Sequence, residues 1–386
     1  MNDNKLRVLH AVYCLGRGGA EKLAIDVTRE LNKRENVEAL LISFGKTANF
    51  EYDTDGLNYR YCPSKADLSM FYKDKIYAGA YQEALMNFKP HIIHSHRYLT
   101  EIITRYNISK DIKYVTHCHD NIRQFSKFSA KMLFSKRRLT DLYEREWIIK
   151  KYRECKDHFI AVSENNLSFL KENLPEDLHR FSLLPNAIVF SRFARKEAAN
   201  GNKLKGGAIK LINIGSFVPN KNHGFLIEVL DNLRKKGYPV TLDFLGDGTD
   251  IESIRKKVQN YGLSEFVFFR GSVRNVEDYL HNSDIYVHSA KSESFGLVLL
   301  EAMAAGLPVV CLDAKGNRDI LKDGYNGLMV NVPDVDLFTN KIIQLLSNQD
   351  LYYSISDNAV KFARDFDIGE YVNRLVNLYK TLLEEK

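Results

Sequence analysis

The feature that most constrains the fold is an alternation of apolar strands and amphipathic helices that occurs twice along the chain. In the first half, residues 7–13 (RVLHAVY) predict a buried strand, 20–32 an amphipathic helix and 38–44 (EALLISF) a second strand. The pattern restarts with a predicted strand at 209–214 and a helix at 224–236. Because such alternation builds parallel sheets with helices on both faces, the sequence predicts an α/β protein of two Rossmann-like, doubly wound domains.

A polar stretch separates the two halves. Residues 196–207 (KEAANGNKLKGG) contain three glycines and no apolar periodicity, which is typical of an interdomain linker. We therefore expect an N-terminal domain over residues 1–195 and a C-terminal domain over residues 208–367. A final predicted helix, 368–386, could pack back on the N-terminal domain. The 386 residues are long for one core and suit two domains.

The cysteines and the apolar segments limit the class of protein. Five scattered cysteines without a C-x-x-C pair argue against a disulfide framework and a zinc site, and favour a reducing compartment. The N-terminus has too short an apolar run for a signal peptide. The most apolar stretch, 295–312, contains Glu301, Gly306 and Pro308, so it predicts helix, turn and strand rather than a membrane span.

The basic charge is concentrated in one segment. The chain carries a net charge of +6, and residues 121–156 contain 11 Lys and Arg against 4 Asp and Glu, interleaved with aromatic and aliphatic side chains. One interpretation is a solvated helix pair that packs its apolar side on its own domain. The other is contact with an anionic membrane surface. Nucleic acid is disfavoured as a partner because no nucleic-acid-binding module is visible.

The strongest candidate for a ligand site is the stretch 284–306, which predicts a short strand, a polar loop and an apolar helix. Glu301 lies inside this helix, and a buried carboxylate is costly unless its oxygens are hydrogen-bonded. The adjacent hydroxyls of a ribose would satisfy both oxygens, whereas the alternative is a solvated helix acid. The helix start just after Glu293 offers free N–H groups and a positive dipole end that suit a phosphate. The stretch could therefore hold two hydroxyl-bearing rings joined by a diphosphate.

In the first half, polar residues follow several predicted strands. The glycine loop 16–19 comes at the carboxyl end of the first strand, where open α/β sheets place ligands. It lacks the full G-x-G-x-x-G spacing, so a simple strand-to-helix turn remains an alternative. His94, His96, His117 and His119 end the following strands and predict a cleft rim, although a single histidine of this kind is more often structural.

Several motifs together identify a family. Glu293 and Glu301 form an E-x7-E pair within S-x-x-E-S-F-G-L-x-x-x-E-A-M-A-x-G-x-P-V-V, and Gly18 begins Gly-Gly-Ala-Glu. With residues 184–187 (LPNA) and 323–327 (DGYNG), the chain resembles the retaining, nucleotide-sugar-dependent glycosyltransferases of family 4, or group 1. The resemblance implies the GT-B fold, in which two Rossmann-like domains face each other across a cleft.

The resemblance also implies an activity. A sugar would move from a UDP- or GDP-sugar to a saccharide or lipid-linked saccharide acceptor in surface polysaccharide biosynthesis. Neither a cofactor nor a metal is expected. The protein would act on the cytoplasmic side, or peripherally on the inner face of the cell membrane. Rival hypotheses are a nucleotide-sugar epimerase of the same fold and a catalytically silent scaffold that docks on membranes.

The site residues follow from the same resemblance. It implies catalytic roles for His119, Glu293 and Lys221, with Glu301 on the ribose hydroxyls and Glu293 on the donor sugar. Lys221 would neutralise the diphosphate, where charge develops when the glycosidic bond breaks. His119 would orient a sugar hydroxyl or stabilise an oxocarbenium-like centre. The implied donor-binding set is Gly18, Gly19, Ser216, Lys221, Gly246, Ser272, Val273, Glu293, Phe295, Gly296, Leu297 and Glu301.

At two of the site positions the resemblance leaves alternatives open. Ser216 stands where many members have an arginine, five residues before Lys221, so the second cation is either missing or supplied by another residue, such as Arg17 or Arg270. His117 competes with His119 because the H-x-H pair leaves the register open by two residues. Three D-x-D matches, at residues 53–55, 334–336 and 365–367, are interpreted as solvated acids rather than as a metal site.

Overall fold

A computed structural model describes residues 5–16, 18–46, 52, 54–69, 72–126, 136–195 and 207–385. The chain forms two compact units. The first comprises Met1–Ala187 together with Ile368–Lys386, and the second comprises Ile188–Asp367. Each unit has its own sheet and its own hydrophobic core.

The first unit is built on a seven-stranded parallel sheet in the order β3-β2-β1-β6-β7-β8-β9. Strands β4 and β5 form a separate antiparallel pair. The central strands are buried on both faces, as is expected for a parallel sheet covered by helices. The strands are β1 (Leu6–Val12), β2 (Val37–Ser43), β3 (Tyr59–Tyr61), β4 (Lys65–Asp67), β5 (Lys75–Tyr77), β6 (Ile92–His96), β7 (Lys113–Cys118), β8 (His158–Ala161) and β9 (Phe181–Leu183).

Helices connect and cover these strands. They are α1 (Gly19–Leu31), α2 (Gly79–Phe88), α3 (Tyr98–Thr104), α4 (Lys136–Cys155) and α5 (Glu164–Asn173). In α1, Leu23, Val27 and Leu31 recur at helical spacing and are buried.

The second unit contains a six-stranded parallel sheet in the order β12-β11-β10-β13-β14-β15, the order of a Rossmann sheet. Its strands are β10 (Ile209–Ile214), β11 (Val240–Leu245), β12 (Val267–Gly271), β13 (Ile285–His288), β14 (Val309–Leu312) and β15 (Leu328–Val330). Its helices are α6 (Phe190–Phe193), α7 (His223–Lys235), α8 (Ile251–Asn260), α9 (Val276–His281), α10 (Leu297–Ala304), α11 (Val335–Ser347) and α12 (Gln349–Arg364).

The last helix, α13 (Ile368–Glu384), belongs to the first unit. It packs on α1, and Arg34 donates a hydrogen bond to the Asn373 side chain at 2.6 Å. Tyr379 of α13 is fully buried. The prediction that this helix packs back on the N-terminal half is therefore confirmed.

The first unit ends earlier than we expected. It ends at Ala187 rather than at residue 195, because α6 packs on α9 and α10 of the second unit. Within that unit the Phe190 backbone N–H also donates to the Asp367 carboxylate at 3.2 Å. Residues 196–206 of the predicted linker lie outside the described residues.

The basic segment includes α4, whose apolar residues lie in the core of the first unit. Ile148, Ile149 and Tyr152 are buried, and Trp147 packs against the same cluster. The interpretation that the segment packs its apolar side on its own domain therefore holds for this part of α4. Some of the charged residues are ion-paired, as in Arg153 with Asp177. Residues 127–135 lie outside the described residues.

A buried charge cluster lies between α3 and its neighbours. Arg105 and Asp157 form a fully buried ion pair at 2.8 Å, and Arg105 also donates to Thr116 at 2.9 Å. Glu101, one helical turn before Arg105, accepts a hydrogen bond from the Tyr152 hydroxyl. Burial raises the pKa of Glu101 to about 7, against the opposing effects of Arg105 and Tyr152.

All five cysteines are free thiols, four of them buried. Within the described ranges, no helix has the length and apolar character needed to cross a bilayer.

Candidate functional site

The residues after β10 and β13 converge at the point in the second sheet where the strand order reverses. Ligands of open α/β sheets bind at this position, outside the carboxyl ends of the strands. Lys221 lies in a short helical turn after β10, and Glu293 lies in the loop between β13 and α10. The Lys221 ammonium forms an ion pair with Glu293 Oε1, so the two residues predicted to be catalytic in this half are in direct contact.

His288, the last residue of β13, contacts the same carboxylate oxygen as Lys221. Its Nε2 lies 2.9 Å from Glu293 Oε1, and its ring is 1% exposed. Burial acts to raise the pKa of Glu293, but the hydrogen bond from His288 and the charge of Lys221 outweigh it and hold that pKa at about 2. Glu293 is therefore an ionised carboxylate over the physiological range. His288 was not predicted as a site residue.

Direct hydrogen bonds connect the two loops. The Ser289 hydroxyl donates to the Lys221 carbonyl at 2.8 Å, and the Lys291 backbone N–H donates to the Asn220 carbonyl at 2.8 Å. The Asn220 side chain donates back to the Ser292 carbonyl at 2.7 Å. These bonds fix the backbone that carries Lys221 and Glu293, so their ion pair does not depend on the two side chains alone.

Both donor-site glycines of this half with a positive φ have a backbone conformation that favours glycine. Gly296, the residue before α10, has φ 94°. Gly246, after β11, has φ 134°, and a Cβ atom there would lie 2.1 Å from the Gly215 carbonyl oxygen. Gly246 also donates its backbone N–H to the Gly271 carbonyl at 2.8 Å. The ends of β10, β11 and β12 are thereby held together without side chains between them.

Glu301 lies inside α10, eight residues after Glu293. It is 4% exposed, so the alternative of a solvated helix acid is wrong. Phe295 is also buried, whereas Gly296 and Leu297 at the helix start are partly exposed. The first turn of α10 therefore presents backbone N–H groups at the partly exposed end of the helix, and the buried carboxylate follows one turn later.

Arg270, one of the two residues considered as a second cation beside Lys221, is already ion-paired. Ser216 is exposed. The Arg270 guanidinium forms an ion pair with Asp243 and lies 4.7 Å from the Phe268 ring centroid. Arg17 lies outside the described residues. Ser272 and Val273 follow the end of β12, and the Ser272 hydroxyl is a buried group with no hydrogen-bond partner among the residues that the structure describes.

In the first unit, Gly18 and Gly19 lie at the start of α1 as predicted. A Cβ atom on Gly18 would lie 1.7 Å from Glu21 Oε2, so the space beside this glycine is filled by the Glu21 carboxylate. Glu21 is 2% exposed and forms an ion pair at 3.0 Å with Arg97.

Arg97 is a further residue that sequence patterns did not indicate. It follows β6 directly and has φ 75° and ψ 149°, a conformation that only glycine adopts readily. Its guanidinium lies 3.0 Å from Glu21 and 3.8 Å from Asp120. The strained residue thus connects the glycine loop to the loop that follows β7.

His119 and His117, the two rivals for the predicted histidine, differ in their contacts. His119 is 7% exposed, and its Nε2 lies 2.9 Å from His96 Nδ1. His117 is fully buried, and the Asn186 side chain lies beside it without hydrogen-bonding geometry. Burial lowers the pKa of both rings well below the usual value, so both are neutral. The more accessible ring is that of His119.

The D-x-D acids take part in local structure. Asp334 caps α11 by accepting a hydrogen bond from the Leu337 backbone at 2.8 Å, and Asp336 accepts one from Asn232 at 2.7 Å. Asp367 accepts a hydrogen bond from Phe190. Asp53 lies outside the described residues. In the parts of the chain covered by the structure, groups of three side chains that could hold a metal consist of histidines only, His10, His94, His96 and His96, His117, His119.

Sequence comparison places both halves in known families. A family described as Glycosyltransferase Family 4 matches residues 17–192, and one described as Glycosyl transferases group 1 matches residues 194–362. An uncharacterized glycosyltransferase of Methanocaldococcus jannaschii is 28% identical over 228 residues, which cover 58% of this chain and 60% of the relative. With EpsD of Bacillus subtilis, also 28% identical, the match covers 43% of each chain. The chain thus spans less than two thirds of the length of these relatives.

A relative of full length is the UDP-Gal:alpha-D-GlcNAc-diphosphoundecaprenol alpha-1,3-galactosyltransferase of Escherichia coli. It is 21% identical over 393 residues, which cover 99% of both chains.

Solved structures support the fold. HepE of Anabaena, solved with UDP and glucose, superposes with a TM-score of 0.76 over 97% of this chain and 100% of its own, at 17% identity. WaaG, a glycosyltransferase involved in lipopolysaccharide biosynthesis, gives a TM-score of 0.71 over 96% and 99%, also at 17% identity. At such identities the similarity establishes the fold. With the two family matches it shows that the chain belongs to the GT-B glycosyltransferases of group 1 and family 4.

Proposed function

We propose that the protein is a retaining hexosyltransferase. It transfers a sugar from a UDP- or GDP-sugar to a saccharide or lipid-linked saccharide acceptor in surface polysaccharide biosynthesis. The observation that carries this proposal is the Lys221–Glu293–His288 cluster at the switch point of the second sheet. It combines a cation for a diphosphate with an ionised carboxylate for sugar hydroxyls.

The geometry leaves both groups able to bind a donor. Lys221 and His288 both contact Oε1 of Glu293, so Oε2 remains for a sugar hydroxyl. An ammonium group has three N–H donors, and one of them suffices for Glu293. The others would meet the diphosphate, together with the backbone N–H groups at Phe295, Gly296 and Leu297. Breaking the bond between the sugar C1 and the diphosphate oxygen leaves negative charge on the diphosphate, which these fixed groups stabilise without a metal.

Glu301 would bind the ribose of the same donor. Its burial at 4% exposed favours hydrogen bonding to a pair of hydroxyls over hydration. Gly246, Ser272 and Val273 would line the base, and Ser216 the diphosphate. For the first unit, the proposal keeps the predicted roles of Gly18, Gly19 and His119 toward the donor.

The names of two similar proteins support a lipid-linked acceptor. The E. coli relative is named for a diphosphoundecaprenol substrate, and WaaG for lipopolysaccharide biosynthesis. The basic residues of 121–156 would hold the protein peripherally on the anionic inner face of the membrane. The free cysteines agree with a reducing compartment.

The test is a panel of UDP- and GDP-sugars, each incubated with and without candidate saccharide and polyprenyl-linked acceptors, with release of the nucleoside diphosphate as the readout. Acceptor-dependent release with one donor supports the proposal, and the product's anomeric configuration tests retention. Isomerisation of a sugar without acceptor would instead establish an epimerase. Tight binding of a nucleotide sugar without any turnover would establish the silent scaffold.

A further inference from the structure

Five histidines lie side by side at the carboxyl end of the sheet in the first unit: His10, His94, His96, His117 and His119. We refer to them as the histidine array. The parallel register places His10 beside His94 and His96 beside His117. Neighbouring ring centroids are 4.1 to 5.3 Å apart, and each residue is at most 7% exposed. The proposed function gives a role to one of these five histidines, His119, and leaves the other four without a role.

A continuous chain of hydrogen bonds runs through the array. His94 Nδ1 lies 2.5 Å from the Tyr379 hydroxyl, which lies 3.5 Å from His10 Nε2. His10 Nδ1 lies 2.9 Å from His96 Nε2, and His96 Nδ1 lies 2.9 Å from His119 Nε2. His10 and His96 therefore use both of their ring nitrogens, one on each side.

These rings are neutral, which limits the chain to two arrangements. Burial lowers the pKa of His10 to about 3. Burial also lowers the pKa values of His94, His96 and His119 well below the usual value, and for these three rings neighbouring histidines, with Arg97 for His119, add to the effect. A neutral imidazole has one N–H donor and one acceptor nitrogen. A ring that accepts on one side must donate on the other. The Tyr379 hydroxyl could accept from both His94 and His10, but its own buried O–H would then have no acceptor among the described residues, so all hydrogen bonds of the series point the same way.

The His94 end of the hydrogen-bonded series decides between the two possible directions of its hydrogen bonds. His94 Nε2 is buried and has no hydrogen-bond partner among the described residues. If His94 accepted from Tyr379, this nitrogen would carry a buried N–H without an acceptor, which is rare in folded proteins. If His94 donates to Tyr379, its buried Nε2 is only an acceptor without a partner, and every N–H and O–H before His119 has an acceptor. The one N–H left over is that of His119 Nδ1, on the most exposed ring of the array.

We infer that His94 donates to Tyr379, Tyr379 to His10, His10 to His96 and His96 to His119, which fixes His119 as the Nδ1–H tautomer. Nδ1 of His119 has no partner within the described part of the chain, so its N–H is available to an oxygen of a ligand. His10, His96 and Tyr379 are then positioning residues that act through His119. This consequence for sugar transfer rests on the proposed function, whereas the tautomer does not.

A metal ion is the competing occupant of the array. Two groups of three rings have ligand atoms within 4.8 Å of one another, His10, His94, His96 and His96, His117, His119. Neither group includes a carboxylate, so a divalent cation would be buried among neutral rings. Coordination would also break the two 2.9 Å bonds of the chain. The hydrogen-bonded arrangement accounts for the geometry without these costs.

The test is the tautomer of His119, measured by long-range ¹H–¹⁵N correlation in ¹⁵N-histidine-labelled protein with the ring assigned through its backbone. We expect the Nδ1–H form in the wild type and a mixture of both tautomers in Tyr379→Phe, which keeps the ring volume. The matched control is Tyr371→Phe, because Tyr371 lies on the same helix, is 4% exposed and has a hydroxyl without a partner in the described chain. The control should keep the wild-type tautomer.

Three results would overturn the inference. They are an Nε2–H His119 in the wild type, an unchanged tautomer in folded Tyr379→Phe, or stoichiometric zinc with metal-shifted ring nitrogens. The wild-type spectrum decides the first and third even if the variant does not fold. Sugar transfer is measured separately, and we expect kcat/KM of Tyr379→Phe to fall by about two- to tenfold, the effect of one weakened neutral hydrogen bond. The Nδ1–H form in a protein without transferase activity would refute the proposed function and leave the tautomer inference standing.

Discussion

The buried Glu101 makes a specific prediction about stability and pH. Its pKa of about 7 in the folded chain lies above the value of 4.5 for an exposed glutamate. The group therefore stabilises the fold fully below about pH 4.5, and this contribution is lost as the pH rises through about 7. A difference of about 2.5 pKa units corresponds to about 3 kcal/mol. The variant Glu101→Gln stays neutral and can still accept from the Tyr152 hydroxyl, so it should lack this loss.

The assay is urea unfolding of the wild type and of Glu101→Gln at several pH values from 5 to 8. The free energy of unfolding of the wild type, relative to the variant, should fall by about 2 to 3 kcal/mol over this range. Glu172→Gln, at an exposed position of α5, is the matched control and should show no such trend. A difference between wild type and Glu101→Gln that does not change with pH would refute the assignment of a neutral, buried carboxyl group.

Three further predictions concern the second unit and the basic segment. Lys221→Ala and Glu301→Ala should each lower turnover by about tenfold or more, equivalent to about 1.4 kcal/mol. The control Lys256→Ala, on the exposed side of α8, should not lower it. Wild-type rates in the folded site variants would refute the site assignment. Gly246→Ala should destabilise the protein by more than Gly237→Ala, because both have positive φ but only Gly246 lacks room for a Cβ atom. Thermal unfolding measures this, and equal losses would contradict the close contact with Gly215. The protein should bind anionic liposomes and be released by high salt, and binding that ignores lipid charge and salt would rule out the electrostatic contact.

The fold could be predicted because its signals are local. Alternating apolar strands and amphipathic helices set the two parallel sheets, and the E-x7-E spacing located Glu293 and Glu301 around the start of α10. The compact units divide after Ala187, eight residues before the expected end of the N-terminal domain. The polar linker composition begins only at residue 196, whereas the change of unit depends on where α6 packs.

The contacts that position the site are not local, and this limited their prediction. His288 ends an ordinary buried strand, and nothing in the pattern indicates that its ring reaches Glu293. The positive φ of Arg97 falls on a residue other than glycine, so the sequence gives no signal of this backbone conformation. His94 and Tyr379 are separated by 285 positions in the chain, so their hydrogen bond depends on where the last helix packs. A signal for His10 was present, since it lies in the first strand beside the histidines of β6 once the register is known.

The position of α13 has a consequence for the order in which the protein is made and folded. Synthesis proceeds from the N-terminus, and domains generally fold as units during it. The first unit, however, takes part of its core from Ile368–Glu384, which the ribosome releases only after the whole second unit. The buried residues of α13 would therefore pack on the first unit last, after about half of the chain has been synthesised in the meantime. They include Tyr371, Leu375 and Tyr379. During that interval the apolar surface that α13 later covers is exposed, so the nascent N-terminal half is the stage at which chaperone binding or aggregation is most to be expected.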